Sequence, residues 1–383
     1  MLRSDNSYIH RYATTALIKK SRHFGGDQVK MDMLELDTPA LIVDLDLMER
    51  NIKEMADWCR AHNITLRPHM KPIKVPAIAH MLIEAGAKGI CCQKLGEAEV
   101  MVQAGIKDIL IPYPIVGKQK LERLTRLAKQ CKLTVAVDSE YVARKISEQA
   151  VKDGCTIRVI IELYMGRTGV PTPKGVLELA KKILKMPGLS FEGIMSYPTD
   201  EKTGETVKLL KANGIPVNMV SGRPDIYPLG SKEPLYHQIG LTEIRTGIYV
   251  LGAGKYYRFR RDKDDPRKVY HADRSALRVL CTVVSRPVPK MAIIDGGIKT
   301  FSSFGGPPYG YFVDYPKALM NAMSVEHGHV DISECPEKPS IGEKLVVVPN
   351  HPGICLNLHD TLIGVRKGRV ETIWPILARG KVQ

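Results

Sequence analysis

The chain has 383 residues, 44% hydrophobic and 25% charged, a composition that excludes a disordered or fibrous protein and suits one large domain with a smaller one. Its net charge of +15 raises nucleic acid as a partner, but the basic residues are spread along the sequence, and the densest stretch, KYYRFRRDKDDPRK (255–268), has three aspartates mixed in. With no zinc-finger spacing, RNP-type motif, basic heptad helix or apolar run near the ~18 residues of a membrane span, neither nucleic acid nor a membrane is expected as a partner.

The first residues, MLRSDNSYIHRYATTALIKKSRHFGG, are basic and acid-poor like a transit peptide but lack a signal-peptide core, so a cytoplasmic location is expected. The eight cysteines form no C-x-x-C pair and mostly sit in apolar stretches, as reduced structural thiols do. Neighbours on a strand face opposite ways, so Cys91 and Cys92 read as packing residues.

ALIVDLD (40–46) reads as a strand, and LMERNIKEMADWCRAH (47–62) as a helix with Leu47, Ile52, Met55 and Trp58 on one face. Eight strand candidates follow: TLRPHMK (65–71), GICCQK (89–94), DILIPYP (108–114), LTVAVDS (133–139), TIRVIIELY (156–164), SFEGIMSYP (190–198), VNMVSG (217–222) and TEIRTGIYVL (242–251). Helical patterns such as KLGEAEVMVQAG (94–105) and TPKGVLELAKKILKMPG (172–188) separate them. Eight βα units with near-continuous apolar strands predict an α/β fold, a (β/α)8 barrel over residues 47–251, with a doubly wound open sheet as the competing arrangement. After residue 252 the texture turns to short β segments: ALRVLCTVVSRPV (276–288), MAIIDGG (291–297), KLVVVP (344–349) and TLIGVRKGRVETIW (361–374). A helix signal survives only around KALMNAM (317–323). Residues 252–383 thus predict a C-terminal antiparallel β-domain, with residues 1–46 as an arm and strand packing on it.

Active sites of such barrels lie at the C-terminal ends of the strands. The strand reading puts His69, Lys71, Lys94, Tyr113, Asp138, Arg167, Tyr197, Ser221, Gly222 and Arg245 there. Taken singly, each would be a solvated loop residue. Together they make a site in which Lys71, in an apolar and electropositive mouth, has a lowered pKa and can form a Schiff base. Ser221-Gly222 and Gly247 offer small residues and backbone N–H groups for a phosphate, and Arg245 and Arg167 can face a cofactor ring.

The stretches DTPALIVDLDLMERNI, RPHMK, GICCQKLGEAEVMVQAGIKDILIPYPIVG, VAVDS, GRTGV, TEIRTGIYV, IDGGIK, VPNHPGICLNLHD and WPILARGK resemble the D-threonine aldolase and D-serine dehydratase group of alanine-racemase-like, fold-type III enzymes. The resemblance runs from about residue 37 onward. It implies pyridoxal 5′-phosphate as cofactor, with Lys71 as the Schiff-base lysine and His69 positioning it. Arg167 and Tyr197 would lie against the cofactor, and Ser221, Gly222, Gly247 and Ile248 would surround its phosphate. Arg245, in the Arg-x-Gly pattern, would face the pyridine nitrogen, which leaves the ring a weaker electron sink. It also implies a small amino-acid substrate and a homodimer with shared active sites.

The departures from the family pattern are specific. Lys71-Pro72-Ile73-Lys74 stands where the group has Lys-Thr-His-Lys, and Tyr197 is followed by Pro198, Thr199 and Asp200 in place of Gly-His. The phosphate turn reads Ser221-Gly222-Arg223-Pro224. The group's divalent-metal pair, His-x-Cys or His-x-Asp, is reduced to His351 with Gly353, and one histidine is short of the three protein ligands a catalytic zinc normally has. Cys355 is the candidate substitute ligand; His359 and Asp360 read as structural. The expectation is a lyase of β-hydroxy D-amino acids, by retro-aldol cleavage or dehydration, without a complete metal site. The alternatives are an amino-acid racemase or epimerase, with Tyr309 or Tyr311 as second base, and a non-catalytic carrier of the cofactor. Arg223 and Lys299 are the candidates for holding a substrate carboxylate.

Overall fold

Short apolar runs and amphipathic stretches alternate along the first two thirds of the chain, and they close into a barrel. The structure, a computed structural model, describes residues 31–223, 239–252 and 275–383; the basic stretch 255–268, the segment 1–26 and Pro224 lie outside the described residues. Strand β1 (Ala40–Asp44) comes first. The barrel strands are β2 (Thr65–Leu66), β3 (Ile90–Cys91), β4 (Asp108–Ile111), β5 (Lys132–Val137), β6 (Ile157–Glu162), β7 (Leu189–Met195), β8 (Met219–Gly222) and β9 (Glu243–Ile244). They form one eight-stranded parallel sheet in the order β2-β9-β8-β7-β6-β5-β4-β3. Closure comes just past β2, where His69 pairs in parallel with Cys91, Met70 N–H donates to Cys91 O (2.7 Å) and Cys91 N–H donates to Pro68 O (2.8 Å). The strand that carries Lys71 is therefore the seam of the barrel.

The helices outside are α1 (Leu45–Ala61), α2 (Pro76–Glu84), α3 (Leu95–Gln103), α4 (Lys118–Ala128), α5 (Glu140–Lys152), α6 (Pro173–Ile183) and α7 (Glu201–Ala212). Their starts are written locally: Asp44, Ser139 and Thr172 accept from the backbone N–H of Leu47, Val142 and Gly175, and Pro173 opens α6. Inside the barrel Cys91, Leu110, Ala136, Ile160, Met195 and Met219 make a small apolar layer, while Cys92 faces the helices. Beside it lies a polar plug. Arg67, 1% exposed, donates through Nε to Glu243 (2.8 Å) and through Nη1 to Asp108 (2.7 Å).

The tenth strand, β10 (Leu277–Val288), begins a second sheet with β11 (Met291–Ile294), β12 (Gly310–Phe312), β13 (Leu319–Met323), β14 (Gly328–Asp331), β15 (Lys344–Pro349), β16 (Thr361–Arg366) and β17 (Arg369–Pro375). Strand β1 completes it, antiparallel to β10 and parallel to β16; every other pairing in this sheet is antiparallel. The helix signal at 317–323 is corrected here. Leu319–Met323 is a strand, and a register shift between Met320 and Ala322 lets Met320 turn inward while Asn321 and Ala322 both face out, which imitates a helical spacing. A second correction concerns 242–251, where the strand stops at Ile244 and Ile248–Leu251 is a fully buried 3-10 turn.

Two short helices, α8 (Ile298–Phe301) and α9 (Pro352–Leu356), sit in the connections of this second sheet. Beyond β17 the chain returns to the barrel mouth: Ala378 N–H donates to Lys74 O (3.1 Å), and Gly96 N–H donates to Gln383 O (2.8 Å).

Candidate active site

The strand ends and the returning segment enclose a cavity of about 430 Å³, the size of a cofactor or small-ligand site. Lys71, His69, Arg167, Tyr197, Arg245, Gly247 and Ile248 all line it, together with Lys94, Arg223 and His351. Each barrel residue arrives by the same route: a parallel strand ends, its backbone ladder stops, and the next side chain opens into the mouth. Lys71 follows the seam pairing, Arg167 lies beyond β6, Tyr197 beyond β7 and Arg245 beyond β9.

Burial lowers the pKa of Lys71 below the ordinary lysine value, and the charges of Arg167 and Arg223 push the same way. That is the amine a Schiff base needs. His69 is held well below its usual value, first by burial and then by the charge of Lys71, so the ring is neutral. Its Nδ1 accepts from Lys71 N–H (3.3 Å) and its Nε2 meets Gln93 Oε1 (3.0 Å), a pairing that assigns the proton to Nε2. Arg245 is buried; its Nη2 donates to Ser196 O (3.0 Å), and its Nη1 has no hydrogen-bond partner among the described residues. Arg167 and Arg223 lie over the Tyr197 ring, 5.5 and 5.4 Å from its centroid, and Arg223 Nη1 donates to Tyr197 Oη (2.6 Å).

Several expected residues are placed elsewhere. Ser221 turns into the barrel, where its Oγ donates to Glu243 Oε1 (2.7 Å), so at this strand end it offers backbone only. Gly222 packs on Thr199, whose Oγ1 would lie 2.4 Å from a Cβ. Neither residue lines the cavity, nor do Tyr113, Asp138, Tyr309, Tyr311 or Lys299; Lys299 is paired with Glu326 (2.6 Å).

At the β-domain wall, His351 Nδ1 accepts from Ile354 N–H (3.0 Å). A side chain at Gly353 would place its Cβ 2.8 Å from Pro72 Cβ and 2.9 Å from Pro72 Cα. Cys355 Sγ faces Thr300 O (3.2 Å), and His359 Nε2 shares that carbonyl (3.1 Å). Among the described residues no group of three or more His, Cys, Asp or Glu side chains could hold a metal ion. The residues at this position do not fit a divalent-cation site.

Three residues that sequence reading passed over also line the cavity. Lys74 Nζ donates to Glu97 Oε1 (2.7 Å), and Glu97 Oε2 accepts from Gln93 N–H (2.7 Å). The available signal was the spacing: Lys74 follows Lys71 by one turn, and Glu97 stands three residues into α3, where an acid reaches back to the helix start.

Residues 43–253 match the model of the alanine racemase N-terminal domain, and residues 276–365 that of a putative serine dehydratase domain. D-threonine aldolase of an Arthrobacter species is 35% identical over 368 residues, 91% of this chain and 94% of that one. The 3-hydroxy-D-aspartate aldolase of Paracoccus denitrificans (strain Pd 1222) is 35% identical over 92% of this chain and 94% of its own length. Among solved structures, D-threonine aldolase from Filomicrobium marinum superposes with a TM-score of 0.82 at 34% identity, covering 93% of this chain and all of that one.

Proposed function

The chain belongs to the alanine-racemase-like family and, within it, to the group of D-threonine aldolase and 3-hydroxy-D-aspartate aldolase, and on that premise we propose that it is a pyridoxal 5′-phosphate-dependent lyase of β-hydroxy D-amino acids. The observation that carries this reading is Lys71 itself: an amine of lowered pKa, just past the barrel seam, open to a cavity that Arg167, Arg223 and Arg245 also line. The fit to the cofactor rests on Arg245. Its buried Nη1 has no partner among the described residues, and such a group is costly unless a bound acceptor meets it.

When bound, the cofactor supplies an electron sink for bonds at the substrate's Cα. The protein's own residues do the rest. Lys71 would hold the cofactor, and its amine is placed to accept and return protons on its face of the site. Arg245 presents a guanidinium that donates hydrogen bonds but does not give up a proton, so it would orient a ring nitrogen without protonating it. Arg167 and Arg223, braced on Tyr197, supply positive charge for phosphate and carboxylate groups, and Gly247 and Ile248 bring backbone to the same wall. Tyr309 and Tyr311, the candidates for the second base of a racemase, lie outside the cavity lining.

The barrel over 47–251 is proposed as the cofactor domain and 252–383, with 1–46, as its β-domain partner. A cytoplasmic homodimer is the expected assembly. No helix among the described residues is long and apolar enough to cross a membrane. Ile298, Phe304, Val313 and Val325 are exposed apolar residues of the β-domain, of the kind a second copy would cover.

The test is a visible absorption spectrum of the purified protein beside Lys71→Ala. The wild type is expected to show a lysine-bound cofactor band that the variant lacks. Added D-threonine should then yield glycine and aldehyde, whereas ammonia and a keto acid would assign dehydration. A variant that keeps the band overturns the role of Lys71.

A further inference from the structure

Behind Lys71 runs a single file of hydrogen bonds that ends in the β-domain. Lys71 N–H donates to His69 Nδ1, His69 Nε2–H to Gln93 Oε1, and Gln93 N–H to Glu97 Oε2. Glu97 Oε1 accepts from Lys74 Nζ, which also reaches Ala378 O (3.4 Å). Lys74 and Glu97 are 7% and 3% exposed, a buried pair. Lys74 also sits at φ +58°, a left-handed conformation that costs a non-glycine residue of order 1 kcal/mol or more. Both Ile73 N–H and Lys74 N–H fold back onto Met70 O, so this turn is the one that displays Lys71. A buried ion pair is a poor stabiliser, since apolar residues of similar volume do as well or better. Something other than stability accounts for a strained, buried lysine at this place.

We propose that Lys74 and Glu97 are positioning residues: their ion pair, clasped by the segment around Ala378, fixes Gln93, which sets the His69 tautomer and thereby the placement of Lys71. The physical step is simple. If the His69 proton moved to Nδ1, it would face the Lys71 N–H donor and push the lysine backbone away. Gln93 Oε1 prevents this by accepting from Nε2, and it holds its position because Glu97 anchors its backbone N–H. The β-domain thereby takes part in holding the Schiff-base lysine although its residues 376–383 contribute only backbone contacts and Val382 to the mouth.

This inference rests on the reading that Lys71 carries the cofactor, and the experiment separates the two. Four variants are compared with the wild type: Gln93→Leu, Glu97→Leu, the double variant Lys74→Met/Glu97→Leu, and Lys71→Ala. The readouts are cofactor Kd from absorption titration, thermal midpoint, and the imidazole nitrogen shifts of His69 in ¹⁵N-histidine-labelled apoprotein. Glu97→Leu leaves a buried lysine unpaired and should lower the midpoint, and the double variant should recover it. Cofactor affinity is expected to stay about 10- to 100-fold weaker in the double variant, the usual effect of removing an orienting partner. Gln93→Leu should show the same weakening at a wild-type midpoint, with His69 losing its single Nε2–H signature. Affinity returning together with the midpoint in the double variant would mean a structural pair only. Wild-type affinity and His69 shifts in Gln93→Leu would also overturn the proposal. Retention of the cofactor band by Lys71→Ala would instead sink the functional reading.

Discussion

Gly247, just past the last barrel strand, packs on the backbone of His69 in the lysine-bearing segment. Its φ of −136° is open to any residue, so alanine there meets no backbone penalty; the whole effect is contact. An added Cβ would lie 2.0 Å from His69 O, 2.8 Å from His69 C and 2.9 Å from His69 N. Ordinary contact begins at 3.4 Å, so the two segments must part by about 1.4 Å. No flexible side chain is available to give way. The displaced atoms are backbone, and they belong to the seam that Met70 and Cys91 hold closed. Gly247→Ala therefore moves His69 and Lys71 relative to Arg245 and the wall at Ile248. A misplacement near 1 Å costs on the order of 10²-fold in rate, while overpacking of this kind costs about 1–3 kcal/mol in stability. The assay is kcat/KM for D-threonine cleavage beside cofactor Kd and thermal midpoint. A loss of roughly 100-fold in kcat/KM with the fold retained is expected. Rate and cofactor affinity both within twofold of wild type would refute the steric reasoning.

Arg67→Ala is expected to cost about 3–5 kcal/mol in urea unfolding, because Glu243 and Asp108 lose the guanidinium that they share inside the barrel; a loss under about 1 kcal/mol would mean that water enters the plug. Lys71 should load cofactor with an inflection below 10.5, the ordinary lysine value, because burial and the neighbouring arginines depress its pKa. The folded apoprotein then binds this proton more weakly than the unfolded chain, so its stability should rise with pH between the depressed value and 10.5; an inflection at 10.5 would contradict the burial argument. Gly353→Cys should fail to bind Zn²⁺ or Mn²⁺ in calorimetry and should weaken the cofactor band by pressing on Pro72 beside Lys71. Stoichiometric metal binding with the band intact would show that the loop can open.

Much of this architecture was legible beforehand. Each expected barrel strand is present, because a parallel strand buried on both faces is apolar along its length, and the capping Asp44, Ser139 and Thr172 mark helix starts by chemistry that needs no tertiary partner. Lys71, Arg167, Tyr197 and Arg245 were readable as strand-end residues for the same reason: once the period is known, the mouth is known. Where a short apolar run had two outcomes, pattern alone did not decide. Ile248–Leu251 and Leu319–Met323 carry apolar residues that a strand, a helix or a tight turn would bury equally well, and only the neighbouring chain selects among them.

Sequence by itself determined the period, the caps, the lysine at a strand end and the lost side chain at Gly353. Tertiary structure decided what those residues face. Ser221, a candidate phosphate ligand by position, turns inward because Glu243, shared with Arg67, offers its hydroxyl a buried acceptor. Gly353 lies against Pro72, a contact between residues 281 positions apart that neither local pattern encodes. Lys74, Gln93 and Glu97 read as ordinary polar residues until the barrel seam and the returning segment around Ala378 bring them into one line behind Lys71. The physical reason is that strand period and capping are set by nearest neighbours along the chain. The partner of a buried charge is set by whatever the closed barrel leaves within about 3 Å of it.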